Sequence, residues 1–520
     1  MTLIRYLINT LAACTFSSAS FSEHARHQWD QEGIVSSASQ ANHIFNAVHS
    51  SMRQWGSAIR HNGMSFYLAT MVSGSELYHG ARYQAGPKGV GWLAFEVEHA
   101  LSFARPEADS IESTWRGSPD FLGQQLLPSS SGLEIAGWLH KYTLKRDLNL
   151  LYIDGASAAK TGKGTQDSQN FVFNTTKEQL GSQPVLVKSG RLVAGEEYAR
   201  VHKLCRIAAE HWNGLIDGFI RNEFGFELVL CEFERDAQLI DKIRTTQVAY
   251  PNAGFWKTGL FNTLQELHSS EEAVKEKVTI DYDSMVTAFD QNLNLFDGET
   301  LSHPRLSKIS EVQGRAIFDL ITQMIAKRVV SPTVGANEHF DWQRVADKVV
   351  ARYSQPLDHL AHGSLSEEEA TRYVALLLRP FVDVESMNPS GNLNRCVHQH
   401  MPRQRTSDNL PIAGKAVRCV MQTICETLFS IGTHGRQMES MDRGASDHGT
   451  ISIQERVKPL VKWLDWTVWK QCRPGCGVGE VCFTAMWPWG DTESHEKPYC
   501  VNTATISMRE KRGQYWRSND

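Results

Sequence analysis

Three short segments carry the residues of this chain best suited to chemistry. Leu77-Tyr78-His79-Gly80 sets an imidazole beside a glycine, and Gly91-Trp92-Leu93-Ala94-Phe95 with Ala100-Leu101-Ser102-Phe103 supplies aromatic rings. Gly225-Phe226-Glu227-Leu228-Val229-Leu230 places one carboxylate in an apolar run. A histidine at the end of an apolar strand can turn its ring into a cleft, while the following glycine lets a ligand approach the backbone. Rings such as Trp92, Phe95 and Phe103 can hold a flat ligand by stacking. Burying the charge of Glu227 inside its strand would be costly, so that side chain is expected to face an opening.

The elements that position these residues follow from apolar runs bounded by glycine and polar residues. Strands are expected over Phe66–Val72, Glu76–Tyr78, Gly91–Phe95, Gly137–Tyr142, Leu148–Asp154 and Phe226–Phe233, by their length and their aromatic and β-branched content. Tyr198, Val201, Leu204, Cys205 and Ala208 recur at helical spacing, and Gly214 provides the stop. From about 255 to 380 the pattern is read as mainly helical, as in Glu311–Ile325 and Trp342–Tyr353. A break at Met387–Asn392 precedes a further helical pair, Ala413–Ile431 and Ile453–Trp469. At 520 residues the chain exceeds one ordinary core. The expected organisation is a signal peptide over 1–20, a leader over 21–60, an α+β domain over 61–245, a helical domain over 246–386 and a helical, cysteine-rich module over 387–520.

The order of histidine strand, aromatic strand and glutamate strand resembles the ADP-ribosyltransferase fold, over about Phe66 to Ile240. The upstream Leu215–Ile220 resembles the tight strand before the family's glutamate strand, and Asp147–Asp154 after Trp138–Tyr142 resembles its middle strands. The resemblance implies a split-sheet α+β domain that takes NAD as substrate and holds no tightly bound cofactor. Carried over residue by residue, it makes His79 and Glu227 catalytic and His79, Gly80, Trp92, Phe95 and Phe103 the residues that bind NAD. Cleaving the nicotinamide–ribose bond creates an oxocarbenium-like centre, which a positioned carboxylate stabilises. Glu227 would take that role, His79 would donate to a ribose hydroxyl, and the rings would sandwich the nicotinamide. The family's strand Tyr or Ser falls here between Ala94 and Phe95, so a hydroxyl is missing. Arginine-directed members carry a second Glu two residues before the catalytic one, and here that position is Gly225. The implied activity is ADP-ribose transfer to an unnamed acceptor or hydrolysis of NAD. The whole chain also resembles secreted fungal proteins of uncharacterised function, which share these segments and a cysteine-rich end after a Trp-rich helix. The alternative reading is a non-catalytic secreted protein, stabilised by disulfides, with a binding or structural role.

Composition bounds the partners. A formal net charge of -5 with 21% charged residues gives no bulk electrostatic drive toward nucleic acid. Met1–Arg5, the apolar run Tyr6–Phe16 and Ser17–Ser20 have the three parts of a secretory signal, and no other run reaches the length of a membrane span. Export suits the cysteines. Of the ten, Cys472, Cys476, Cys482 and Cys500 sit in a loop-rich stretch that reads as a disulfide-stapled module rather than a zinc site, because paired Cys-x2-Cys knuckles are absent. Removing Cys14 with the signal leaves nine, so at least one free or intermolecular thiol is expected. Asn174-Thr175-Thr176 is a glycosylation sequon. Gly155–Asp167 fails the phosphate-loop spacing and reads as a solvated surface loop in which Lys160 or Lys163 could touch a phosphate. Cys396-Val397-His398-Gln399-His400 is explained by a disulfide through Cys396 and two surface histidines, and Asp281, Asp283 and Asp290 by the start of a helix. No resident metal is expected.

Overall fold

The structure is a computed structural model that describes residues 40–104, 134–176, 193–247, 276–296, 303–330, 340–386, 388–402, 410–440, 452–502 and 514–516. The signal segment 1–20 lies outside the described residues. The chain divides into two compact units, each drawn from separate stretches of sequence.

The larger unit, residues 50–286, 295–338 and 470–520, is built on a mixed sheet. Its strands are β1 (Asn62–Met71), β2 (Glu76–Ala81), β3 (Gly91–Ala94), β4 (Glu134–Leu144), β5 (Leu148–Gly155), β6 (Gly218–Asn222), β7 (Phe226–Leu230), β8 (Ala237–Gln247) and β9 (Val278–Thr287). They hydrogen-bond in the order β8-β4-β2-β3-β7-β6-β5-β1-β9. From β8 to β1 every pairing is antiparallel except β5 with β6, which is parallel. The central strands read as continuous apolar runs because both faces are covered: every residue of β6 and β7 is buried. At the β8 edge, Leu239, Ile240 and Ile243 are exposed, and Lys242 and Arg244 supply the charge that discourages pairing with another chain.

All the expected strands form, and the helix around Tyr198 runs from Val193 to His211. The reading fails at β9. Asp281 and Asp283 belong to a strand, and Asp290 to a 3-10 turn, rather than to a helix start. The segment Val278-Thr279-Ile280-Asp281-Tyr282 alternates with a period of two, and its apolar members are the buried ones. That alternation is the signature of a half-buried strand.

The smaller unit, residues 1–49, 287–294 and 339–469, is helical in its described part. In the Trp342–His362 helix, Trp342, Val345, Ala346, Val349, Tyr353, Leu357 and Leu360 form one buried stripe. Glu367–Leu378 and Ile453–Leu464 each start with a capping box, Ser366 with Glu369 and Ser452 with Glu455. The Ala41–Ser50 helix stops the second of these from its other end: Asn42 and Asn46 donate to the carbonyls of Trp463 and Leu464 at 2.6 and 2.8 Å. Those bonds satisfy acceptors that a helix C-terminus leaves open.

Four disulfides are described: Cys205–Cys231, Cys396–Cys425, Cys472–Cys482 and Cys476–Cys500. The expected pairing through Cys396 is found, and the C-terminal four cysteines pair among themselves. The expected leftover thiol is not found: Cys419 is disulfide-bonded too, and no described cysteine is free. The two C-terminal bonds flank a short ribbon of β10 (Val481–Phe483) and β11 (Tyr499–Val501), in which Cys482 stands opposite Cys500. This segment does not stand apart from the larger unit. Phe483, Met486, Trp487, Trp489, Tyr515 and Trp516 form one core cluster with Ala58, Ala156, Ala159 and Phe224. Among the described residues no helix is long and apolar enough to cross a membrane.

The Cys205–Cys231 bond ties the Val193–His211 helix to the residue that follows β7 across a separation of 26 residues. Closing a loop of that length removes unfolded-state entropy worth about 3 kcal/mol. The double variant Cys205→Ser, Cys231→Ser is expected to lose about that much unfolding free energy in urea titrations without reductant. An unchanged midpoint would show that the helix is held by packing alone.

Candidate functional site

Strands β2, β3 and β7 lie side by side in the sheet, and one row of residues crosses them: Tyr78 stands opposite Ala94, and Ala94 opposite Glu227. Above this row lies a cavity of about 350 Å³, near the lower end of the ~300–1,000 Å³ common for small-molecule sites. His79, Gly80, Trp92, Phe103 and Glu227 all line it. Phe95 does not. It is buried beside Phe226, with ring centroids 6.4 Å apart, because it follows the end of β3 and turns into the core. Phe95, expected from sequence beside the ligand, thus lies off this cavity.

Glu227 enters the cavity as part of an ion-pair network. Arg221, on the neighbouring strand β6 and opposite Glu227 in register, is completely buried. It donates to Glu227 Oε1 from Nε at 2.9 Å and from Nη2 at 2.5 Å, to Glu197 Oε1 at 2.5 Å, and to Gln169 Oε1 at 3.1 Å. Burial disfavours the guanidinium charge, yet Glu197 and Glu227 outweigh it and raise the Arg221 pKa. Burial also pushes Glu197 toward the protonated form, but Arg221, Lys160 and Arg200 hold its carboxyl below the usual value. Glu227 Oε1 is thus fixed, and Oε2 makes no hydrogen bond among the described residues.

A second pair stands beside the first. Lys160 binds Glu223 Oε1 at 2.7 Å and lies over the Trp487 ring, 5.3 Å from its centroid. Burial raises the Glu223 carboxyl despite Lys160, and Glu227 adds to the rise. The loop that carries Lys160 is not a solvated surface: Ala156 to Ala159 and Gly164 to Gln169 are buried. Hydrogen bonds from Thr165 to the Ala159 carbonyl and from Gln169 to the Ser157 carbonyl fold it inward.

His79 shares its strand pairing with His140 and brings its Nδ1 to 2.8 Å from the Trp92 carbonyl. Burial lowers its pKa to about 4, with the Trp92 carbonyl opposing and His140 adding to the fall. The ring is neutral at ordinary pH. Because a carbonyl only accepts, Nδ1 carries the proton and Nε2 is left as an acceptor. Toward a ligand hydroxyl His79 therefore accepts, the reverse of the donor role expected from sequence.

Two glycines have packing reasons for their identity. A Cβ on Gly80 would lie 1.8 Å from the Ala100 carbonyl oxygen, so the absence of a side chain lets the Val97–Leu101 helix close on β2. A Cβ on Gly225 would lie 2.6 Å from His99 Nδ1. His99 fills that space, stacked edge-on to Phe224 at 4.5 Å and bonded to the Phe226 carbonyl at 3.3 Å. Phe224 in turn lies against Phe103 and Trp489, so the C-terminal segment backs the aromatic wall of the cavity. Trp92 meets Tyr198 at 5.9 Å.

Glu197, Glu223, Arg221 and His99 carry no role in the sequence reading, and Tyr198 figures there only at helical spacing. Arg221 and Glu223 had a visible signal, being charged residues beside Asn222 between the apolar Phe219-Ile220 and Phe224-Gly225-Phe226 of a buried strand turn. Glu197 and Tyr198 had none, because a helix N-terminus rich in carboxylates is ordinary.

Residues 35–121 and 132–252, the stretch holding β1 to β8, match the family described as the YPL277C N-terminal domain. The chain is 30% identical over 548 aligned positions to a Saccharomyces cerevisiae protein, uncharacterised protein YOR389W, covering 88% of this chain and 84% of the yeast protein. It belongs to this family of fungal proteins. A second relative, uncharacterised protein YPL277C of the same yeast, is 31% identical over 223 positions, 40% of this chain and 43% of that protein. No solved structure matches the chain. The cavity-lining residues of β2, β3 and β7, with Arg221 and Glu197, all fall within the matched family region.

Two outcomes follow from this geometry. Arg221→Met leaves Glu197 and Glu227 buried without their shared cation and is expected to lower unfolding free energy by about 3–5 kcal/mol in urea titrations. A loss under about 1 kcal/mol would show that water replaces the guanidinium. Glu96, just before the Val97–Leu101 helix, is raised by burial to about 8, with backbone hydrogen bonding and Lys277 opposing. A carboxyl whose folded value exceeds its unfolded value stabilises the fold at low pH, and that stability is lost as pH rises. Between 4.5 and about 8 the native protein should thus lose stability that the Glu96→Gln variant keeps. Denaturation midpoints that fall equally in both proteins over this window would remove Glu96 from the account.

Proposed function

We propose that the protein is a secreted, ADP-ribosyltransferase-like enzyme that binds NAD and cleaves its nicotinamide–ribose bond, passing ADP-ribose to an acceptor or to water. The observation that carries this reading is the adjacency of β2, β3 and β7, which lines one cavity with His79, Trp92 and Glu227. A cavity of about 350 Å³ suits the nicotinamide and its ribose, the half of NAD that holds the scissile bond. Trp92 and Phe103 offer rings to the nicotinamide, His79 Nε2 accepts from a ribose hydroxyl, and Glu227 Oε2 faces the centre where positive charge develops. The disulfides and the absence of a membrane-crossing helix among the described residues are compatible with export.

A second reading, a non-catalytic binding protein on the same fold, is favoured by one feature. Glu227 is already paired with a buried cation, which drains electrostatic strength from the carboxylate that would stabilise an oxocarbenium ion. At Gly225, where arginine-directed members carry a second Glu, the His99 ring occupies the space, so the proposed acceptor is not arginine.

Incubating the purified chain with NAD labelled in the nicotinamide ring separates the two readings. Enzymatic cleavage predicts nicotinamide release that drops about 100-fold in Glu227→Gln, with NAD binding retained. Trp92→Ala should weaken binding instead. Binding without release, or no binding of NAD at all, overturns the enzymatic reading in favour of the second, and release untouched by Glu227→Gln removes Glu227 from its role.

A further inference from the structure

Away from the cavity, three histidines from distant parts of the sequence meet within the larger unit. His61 immediately precedes β1, His303 lies in the stretch before the Glu311–Val330 helix, and His495 lies on the Thr492–Glu496 helix. One ring nitrogen of each is within 4.8 Å of the other two. Ring centroids are 4.1 Å apart for His61 and His303, 5.7 Å for His61 and His495, and 5.2 Å for His303 and His495. Tyr515 joins them, its hydroxyl 2.7 Å from His61 Nε2 and 3.1 Å from His303 Nε2.

The hydrogen bonds around the cluster decide which nitrogens carry lone pairs. Asn62 donates from Nδ2 to the carbonyls of Lys163 and Pro304 at 2.8 and 3.0 Å, which fixes its Oδ1 as an acceptor. His61 Nδ1, 2.6 Å from that oxygen, therefore carries the proton, and His61 Nε2 is a bare lone pair. His495 is bonded to the backbone of Ile59, while its buried Nε2 has no partner among the described residues. The His61 lone pair and the His303 nitrogen thus meet one hydroxyl, which has one proton to give. The His495 ring stacks on that of Tyr515, centroids 4.4 Å apart, and its Nε2 has no donor among the described residues. A protein interior seldom leaves such an atom unserved, and a cation supplies what it lacks.

We propose that His61, His303, His495 and Tyr515 form a binding site for one divalent transition ion of the zinc class. Three neutral imidazoles with an oxygen ligand are the donor set such an ion prefers in tetrahedral sites. The Asn62 amide and the Ile59 backbone play the part of outer partners that hold a ligating imidazole in the right tautomer. Arg60, Lys163, Arg305 and Lys470 surround the cluster with positive charge. The ion would staple the C-terminal segment, through His495 and Tyr515, to the residues that open the sheet. No described cysteine is a free thiol that would compete for it.

The test uses the full chain, stripped with chelator, dialysed against zinc chloride and assayed by elemental mass spectrometry. One zinc per chain is expected, lost in His303→Ala and in His495→Gln, retained in the surface control His398→Ala, with a zinc-dependent rise in melting temperature only where zinc binds. Cobalt(II) in the unaltered chain gives a second measurement that does not depend on the variants folding. Intense visible bands of a tetrahedral nitrogen–oxygen site support the proposal. Weak octahedral bands, no bound zinc, or zinc binding unchanged in His303→Ala overturn it.

Discussion

The completely buried guanidinium of Arg221 is the constraint around which the sheet and its cavity are arranged. A charge in that position is tolerated only because carboxylates from two other elements reach it, Glu227 from the adjacent strand and Glu197 from the Val193–His211 helix. Gln169 meets it from the folded loop after β5. Four separate segments are therefore held in register by one side chain. If any of them shifts, a charge is left buried and unpaired, which costs more than the network contributes when intact.

The same network sets what the cavity can do. It fixes Oε1 of Glu227 at the cavity wall, so the carboxylate is oriented without freedom to swing. Lys160 and Glu223 repeat the arrangement next to it, with Trp487 under the ammonium group. The aromatic wall is held from behind: Phe103 rests on Phe224, Phe224 on Trp489, and Trp489 belongs to the cysteine-rich segment. The disulfides at Cys472 and Cys476 thus act on the cavity at one remove, by keeping the tryptophans that support it in place.

Much of this was legible in the sequence where the signal is local. The strand runs and the helix stop at Gly214 follow from patterns within ten residues, and the spacing of the four C-terminal cysteines announced cross-links. Strand β9 forms where Asp281 and Asp283 suggest a helix start, because the buried alternation of Val278, Ile280 and Tyr282 outweighs the carboxylates between and after them. The stretch from Gly155 to Asp167 departs from its sequence reading too. Its glycines, alanines and lysines have the composition of an exposed loop, and only the surrounding structure buries them.

The sequence by itself determined which short elements form, because hydrophobic periodicity and turn residues act over one or two turns of chain. It also placed a histidine, a tryptophan and a glutamate on strands. Only the tertiary structure decided that those strands are neighbours, that Phe95 faces the core while Phe103 faces the cavity, and that His79 is an acceptor. The pairing of Arg221 with Glu197, and the meeting of His61, His303 and His495, were likewise beyond the sequence. Such contacts join residues far apart in the chain, and no local preference encodes which distant partner will satisfy a buried charge or lone pair.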